Sequence, residues 1–163
     1  LRDKYHQILN LKNNENIFRK NYLYFKYKYV LNPFYKYKFY FYKNVHIYGF
    51  FVARETYFNS SRALRLVEFF GDFKKLKNVS YDLNEIIKKY NYEFIDFYNY
   101  GFEKKIIINT GFKLNNYTKN IIIPNYFEPF EKRNIKLKFS YFPNNQKMYL
   151  FKGDCDQDRP NLL

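Results

Sequence analysis

Two acidic side chains stand within otherwise apolar stretches of the sequence. Glu68 lies in ALRLVEFF and Asp96 lies in EFIDFYNY. Alternation along a strand places Glu68 on the face of Leu64, Leu66 and Phe70, and Asp96 on the face of Phe94 and Tyr98. Burial beside aliphatic and aromatic side chains raises the pKa of a carboxyl group toward the range of a general base, so we predict that both acids are catalytic. Such acids more often neutralise an arginine, and the sequence offers three candidates: Arg54, Arg62 and Arg65.

Two polar residues follow Asp96 at the end of the same predicted strand. Tyr98 and Asn99 carry a hydroxyl and an amide, which are suited to orienting a substrate by hydrogen bonds. If this strand and the strand of Glu68 are parallel neighbours, both acids lie toward the carboxyl ends of the strands. Ligands of open α/β sheets bind at those ends, so we predict the substrate site there.

Three aspartates alternate with other residues near the C-terminus, in GDCDQDRPN: Asp154, Asp156 and Asp158. Their spacing matches the first three ligand positions of a calcium loop, but Arg159 stands where that loop needs glycine. We therefore predict no metal site and expect these acids to pair with lysines or arginines, or to cap a turn. If the tail folds back to the cleft between the parallel strands, the same acids are placed to bind an amino group of a substrate.

Cysteine and histidine chemistry is limited in this sequence. Cys155 is the only cysteine, so an internal disulfide is excluded, and two histidines, His6 and His46, are too few for a zinc-type cluster. The carboxylates on either side of Cys155 disfavour its thiolate, so we expect no nucleophilic role for it.

The length and composition fit a single domain that spans residues 1–163. Of these residues 47% are hydrophobic and 25% aromatic, which is ample for a core. No apolar run is long enough to span a bilayer, and the first residues lack the apolar part of a secretion signal, so we expect a cytoplasmic protein. Because the chain starts with Leu1 rather than Met, a C-terminal fragment of a longer protein is one interpretation.

Alternation of lysine with tyrosine or phenylalanine over residues 22–43 predicts two antiparallel strands joined at Asn32-Pro33. The second strand carries aromatic side chains on one face and mostly lysines on the other: Tyr35, Tyr37, Phe39 and Phe41 against Lys36, Lys38 and Tyr40. We assign the aromatic face to the core and the lysine face to solvent, where the charges discourage edge aggregation. The alternative is a platform on which nucleic-acid bases stack.

The remaining elements follow in an order that indicates the topology. The patterns predict strands at 46–57 and 63–70, a helix at 81–91, a strand at 92–100, a helix at 102–110, and strands at 120–124, 135–142 and 147–152. Asp82 and Glu85 resemble a capping box at the start of the first helix, and Gly111 ends the second. The crossover helix favours parallel pairing of the strands on either side of it. We therefore predict an α+β fold with a mixed, mostly antiparallel sheet and a few flanking helices.

This order of elements, with Asn109-Thr110-Gly111-Phe112 at the end of the second helix, resembles the C-terminal two-thirds of the GNAT acyltransferase fold. The resemblance implies a GNAT-like fold and transfer of an acyl group from acetyl-CoA or another acyl-CoA to an amine. Two stretches, IPNYFEPFEKRNIKLKF and FKGDCDQDRPN, look like the tail of GNAT-like proteins found with bacterial surface-polysaccharide genes. They imply an amino sugar as the acceptor.

The coenzyme-binding loop is the main departure from that family. GNAT proteins carry a glycine-rich pyrophosphate loop after the corresponding strand, whereas this chain reads FFGDFKKLKNVSYD, with Gly71 as its one glycine. Lys74 and Lys75 are placed to neutralise a pyrophosphate, so these lysines and Gly71 are the candidate cofactor-binding residues. Ile107 stands where the family has a tyrosine that serves as general acid. These departures favour the alternative of a GNAT-fold binding module without catalysis.

The charge of the chain suggests a third function. Its 29 Lys and Arg against 15 Asp and Glu give a net charge of +14, which ordinarily indicates nucleic acid or an anionic surface as the partner. Tyr, Phe, Lys, Asn and Ile are abundant together, as a bias toward A/T-rich codons produces. We therefore rank the acyltransferase narrowly first, the non-catalytic module second and a nucleic-acid-binding domain third.

Overall fold

The computed structural model describes residues 20–43, 47–76, 79–114, 121–124, 131–135, 138–140, 142, 147–155 and 158. Its main sheet contains β1 (Tyr37–Lys43), β2 (Ile47–Phe58), β3 (Ser61–Gly71) and β4 (Phe94–Phe97) in that spatial order. Pairing is antiparallel except between β3 and β4, which are parallel. A second sheet pairs β5 (Asn99–Tyr100) antiparallel with β6 (Leu150–Phe151). The predicted α+β fold with a mixed, mostly antiparallel sheet is confirmed.

The described residues contain α1 (Tyr22–Phe25), a π-helical turn (Lys26–Val30), α2 (Val79–Tyr90), α3 (Lys104–Asn109), and 3-10 turns at Phe73–Lys75 and Lys152–Asp154. The helices α2 and α3 confirm the two predicted helices. The chain leaves α3 at Gly111, whose φ of 93° costs little only for glycine. Across the described ranges, no helix has the length and apolar character needed to cross a membrane.

Residues 22–30 are helical, so the first predicted strand is wrong. The side-chain oxygen of Asn21 accepts a hydrogen bond from the backbone N–H of Tyr24 at 2.9 Å and caps α1. Phe25 and Tyr29 are buried against the sheet. Residues four apart share a face in a strand and in a helix, so the alternation in this segment fits both structures. Packing of Phe25 and Tyr29 on the sheet selects the helix.

Apolar side chains cover both faces of the main sheet. We call the side covered by α2 the α2 face; its cluster comprises Phe51, Ala53, Leu64, Leu66, Phe69, Leu76, Val79, Leu83, Tyr92 and Phe151. We call the other side the α1 face; its cluster comprises Phe25, Tyr29, Phe50, Val52, Val67 and Phe70. Phe39 and Phe41 of β1 pack on the α1 face as predicted, but Tyr40 and Tyr42 pack on the α2 face. Aromatic rings of β1 thus pack on both faces of the sheet, and the base-stacking platform remains a prediction.

Four further elements differ from the predictions. The helix α2 begins at Val79, so Asp82 lies in its first turn and is not an N-cap. Residues 121–124 and the described part of 135–142 form no strand, and the last predicted strand is reduced to Leu150–Phe151. These short edge segments lack the long alternation that made β2 and β3 recognisable.

Candidate functional site

A bulge in β3 decides where Glu68 points. The pairing with β2 shifts by one residue at Val67, which has no β2 partner. The extra residue places Glu68 on the α1 face beside Tyr29, and not on the α2 face with Leu64 and Leu66. The predicted face of Glu68 is therefore wrong for Leu64 and Leu66, because strict alternation does not hold across a bulge, and it is confirmed for Phe70, which follows the bulge.

The carboxylate of Glu68 lies in a cluster that we call the Lys20 clamp, formed by Lys20, Tyr24, Glu68 and Asp154. The Nζ atom of Lys20 is 2.7 Å from Oε2 of Glu68 and 2.7 Å from Oδ2 of Asp154. The hydroxyl of Tyr24 contacts both acids, at 3.1 and 3.3 Å. The rings of Tyr24 and Phe151 lie with their centroids 5.5 and 4.9 Å from the ammonium. The clamp is thus an ammonium site that a lysine of the chain itself fills.

Burial controls ionisation in the clamp. It raises the pKa of Glu68 to about 7, while the ammonium of Lys20 opposes that rise. Burial and the charge of Glu68 also raise the pKa values of Tyr24 and Tyr29, so both hydroxyls remain donors. Burial lowers the pKa of Lys28, whose ammonium donates to the hydroxyl of Tyr24 at 3.0 Å. A carboxyl group that titrates near neutral pH beside an ammonium has the protonation chemistry of a general base.

Asp96 has a different partner. Its Oδ2 lies 2.9 Å from Nη2 of Arg65, which is its register partner across the parallel strands. Both side chains are buried. Pairing with arginine is therefore confirmed for Asp96, whereas Glu68 pairs with a lysine that the sequence did not suggest. Arg54 and Arg62, the other candidates, pair with different acids.

The tail folds back onto the α1 face, as one interpretation of its aspartates required. Asp154 belongs to the Lys20 clamp, and it also accepts a hydrogen bond from the backbone N–H of Phe151 at 3.0 Å. The amino group that Asp154 holds is therefore that of Lys20. Asp156 lies outside the described residues.

A second buried cluster surrounds Asp158. Its Oδ1 lies 3.0 Å from Nε of Arg54, and its Oδ2 accepts a hydrogen bond from the hydroxyl of Tyr37 at 2.7 Å. The ammonium of Lys152 lies 4.8 Å from the ring centroid of Tyr98. Burial and nearby arginine charge lower the pKa of Lys152 to about 7. The predicted pairing of the tail acids with basic residues is confirmed for Asp154 and Asp158.

The chain itself occupies the space beside the second half of β3. This strand pairs with β4 only as far as Leu66, and it also contacts β6 and the Lys152–Asp154 turn. Gly153 is required in that turn, because a Cβ atom would lie 2.2 Å from the hydroxyl of Tyr29 and 2.8 Å from the carbonyl oxygen of Val67. The gap between β3 and β5 is therefore closed by protein.

A cleft of about 590 Å³ runs along β4 and β5 and reaches α3. Three predicted site residues line it together: Asp96, Tyr98 and Asn99. Its apolar lining includes Ile95, Phe97, Phe102, Ile107, Phe112 and Leu114. Lys104, Lys113 and Glu103 line it as well. Glu68 is not part of this lining, so the structure separates the two predicted catalytic acids.

The predicted coenzyme loop forms a compact turn. Gly71 ends β3 with a φ of 142°, a value that favours glycine. The side chain of Asp72 accepts a hydrogen bond from the N–H of Lys74 at 3.0 Å and so caps the 3-10 turn. Lys74 and Lys75 are exposed. Among the described residues there is no group of three or more side chains that could hold a metal ion.

No family model, curated protein or solved structure matches this chain. The inference of function therefore rests on the contacts of the described residues.

Sequence reasoning missed three members of the buried polar clusters: Lys20, Tyr24 and Lys152. Lys20 and Tyr24 stand four residues apart, which is a helical spacing, but the alternation around them suggested a strand. Lys152 carries no local signal, since a lysine near the end of a basic chain usually lies in solvent.

Proposed function

We propose that this chain is a GNAT-like binding module for a small molecule and does not transfer acyl groups. The strongest support for a non-catalytic module is that the chain itself fills the space beside β3. An acyl donor that reached Glu68 would have to displace both Lys20 and Gly153. Asp96 is held by Arg65 in a buried ion pair. The absence of a glycine-rich loop from the sequence points the same way.

The cleft along β4 and β5 is the ligand site in this proposal. Its apolar lining suits the body of a small organic molecule, and Lys104 and Lys113 suit an anionic group on that molecule. The hydroxyl of Tyr98 and the amide of Asn99 add polar contacts that orient the ligand. The ligand class is therefore an apolar or aromatic molecule with a negative charge.

An N-acyltransferase is the second candidate, and one observation favours it. Glu68 has a pKa of about 7 and contacts an ammonium group at 2.7 Å, which is the arrangement of a base with an amine acceptor. An amine substrate would replace Lys20 between Glu68 and Asp154. The donor would be acetyl-CoA or another acyl-CoA, with Lys74 and Lys75 near its phosphates.

Fluorescence titration with 8-anilinonaphthalene-1-sulfonate tests the cleft, because this probe combines an aromatic body with a sulfonate. Leu114→Trp fills the cleft and is expected to weaken binding about tenfold. Ile108→Trp is the matched control, since Ile108 is also exposed but does not line the cleft. Equal affinity in the two variants would contradict the proposed site.

Calorimetry with acetyl-CoA separates the two candidate functions. The binding module predicts no saturable heat and no acyl transfer to a primary amine such as glucosamine. Saturable binding, with transfer that Glu68→Gln abolishes, would replace the module by the transferase.

A further inference from the structure

Five large apolar side chains project outward from the segment that contains α1, the π-helical turn and the residues just after it. They are each between 48% and 64% exposed: Leu23, Tyr27, Val30, Leu31 and Phe34. We call this set the outer stripe. The first four are spaced by four, three and one residues, which places them on one side of a helix. Phe25 and Tyr29 occupy the other side and are buried.

The outer stripe is not needed to attach this segment to the sheet. Phe25 and Tyr29 pack against the α1 face, and Tyr24 and Lys28 bond to the Lys20 clamp and the tail. Exposed apolar residues that follow a regular spacing on one face mark a surface that binds another apolar surface. The segment thus has two apolar sides, one packed on the sheet and the other facing solvent.

Charge around the stripe restricts the partner. Residues 16–54 contain no Asp or Glu. Lys36, two positions after Phe34, is exposed, and the ammonium of Lys26 lies 5.6 Å from the ring centroid of Tyr27. A second copy of this chain is a poor partner, since its stripe would bring the same lysines together in a protein that already carries a net charge of +14.

We propose that the outer stripe binds the surface of an anionic lipid bilayer. Leucine and valine side chains enter the boundary between headgroups and acyl chains, tyrosine and phenylalanine lie at the level that aromatic rings prefer, and the lysines contact acidic headgroups. The segment lies on the membrane and does not cross it. This association is independent of the cleft and of its ligand.

Vesicle flotation of the full chain tests the proposal. Vesicles of phosphatidylcholine with phosphatidylglycerol are expected to retain the protein, and vesicles of phosphatidylcholine alone are expected to retain much less. The double variant Tyr27→Ser, Leu31→Ser should lower the partition coefficient at least about tenfold, because it removes apolar area from the contact. Lys26→Gln and Lys36→Gln should each lower it about fivefold on the anionic vesicles only.

Tyr81→Ser is the matched control, because Tyr81 is 71% exposed on α2, away from the stripe. It should bind vesicles like the wild type. An equal loss in Tyr81→Ser would show that the apolar contact is not specific to the stripe, and no loss in the double variant would show that positive charge alone drives binding. Either result would overturn the proposal. Sedimentation velocity adds a further outcome: a wild-type dimer that the double variant dissociates, without vesicle binding, would assign the stripe to a second copy of the chain.

Discussion

Both faces of the main sheet are shielded from water, but different kinds of side chain cover them. The core cluster on the α2 face consists of hydrophobic residues, and its polar contact is the hydroxyl of Tyr92, which donates a hydrogen bond to Glu55. The α1 face combines an aromatic cluster with the Lys20 clamp, the Arg65–Asp96 pair and the Arg54–Asp158 pair. Helix α2 covers the first face, whereas two segments far apart in the chain, α1 with its π-helical turn and the tail, meet on the second.

The α2 face therefore contributes mainly stability, whereas the α1 face also determines which arrangement of the chain can form. Burial of apolar area is favourable and non-directional, so the α2 face tolerates small changes of shape. A buried charge is costly unless its partner is in place, so the α1 face accepts only one arrangement of the tail and of Lys20. The polar face should therefore respond to pH and to single deletions of charge, and the apolar face only to lost volume.

Removal of the central cation should give the largest effect on the polar face. Lys20→Met leaves Glu68 and Asp154 buried without their shared ammonium, and we expect it to lower the free energy of unfolding by about 3–5 kcal/mol. Urea unfolding measures this value. Lys88→Met is the control: Lys88 pairs with Glu85 at a largely exposed position, and its loss should cost less than about 1 kcal/mol. Equal costs in the two variants would mean that the clamp is no more stabilising than a surface pair.

Removal of volume should dominate on the apolar face. Leu66 is buried among the side chains of the α2 face, and Leu66→Ala is expected to cost about 2–5 kcal/mol through lost burial and the cavity left behind. The loss should be the same at acidic and at neutral pH, because the α2-face core cluster has no charged member. A loss that varied with pH would contradict the contrast between the faces.

The pH dependence of stability should originate on the polar face. The folded-state pKa of Glu68, about 7, exceeds its ordinary value of 4.5, so its contribution is complete below pH 4.5 and is lost as the pH rises through 7. Titration of Glu68 should lower the free energy of unfolding by about 2–3 kcal/mol from about pH 5 to about pH 8, and Lys152, whose folded-state pKa of about 7 lies below its ordinary value of 10.5, should offset part of this fall above pH 7. Glu68→Gln should remove most of this fall, whereas Glu85→Gln, at an exposed position of α2, should retain it. If other groups were responsible, chemical unfolding of Glu68→Gln at several pH values would still show the free energy of unfolding falling as the pH rises.

The smallest expected effect concerns the fit of the tail. Gly153→Ala places a methyl group against the hydroxyl of Tyr29 and the carbonyl oxygen of Val67, and we expect a cost of about 1–3 kcal/mol. Proteolysis should then cleave the tail more readily. Gly111→Ala is the control, because it strains the backbone at the end of α3 and not the tail. A variant as stable as the wild type would show that the tail does not pack tightly beside β3.

Much of the frame of the fold could be predicted from local patterns. The strands β2 and β3, the turn at Asn59, the helix α2 and the stop at Gly111 follow from long alternation, helical spacing and residues that tolerate positive φ. Parallel pairing of β3 with β4 followed from the helix between them. Asp96, Tyr98 and Asn99 could be gathered into one site because they stand together at the end of one strand.

The rest depended on contacts between distant parts of the chain. Lys20 bonds to Glu68 and to Asp154, which are 48 and 134 positions away, and no local pattern records such a partner. The bulge at Val67 places Glu68 on the face opposite to Leu64 and Leu66. For residues 22–30 the alternation fitted both a strand and a helix, and packing on the sheet selected the helix. The sequence by itself determined which segments are periodic and where they end, because these properties depend on neighbours in the chain. The tertiary structure alone decided which charges are buried together, because the cost of burying a charge is offset only by the group that the fold places beside it.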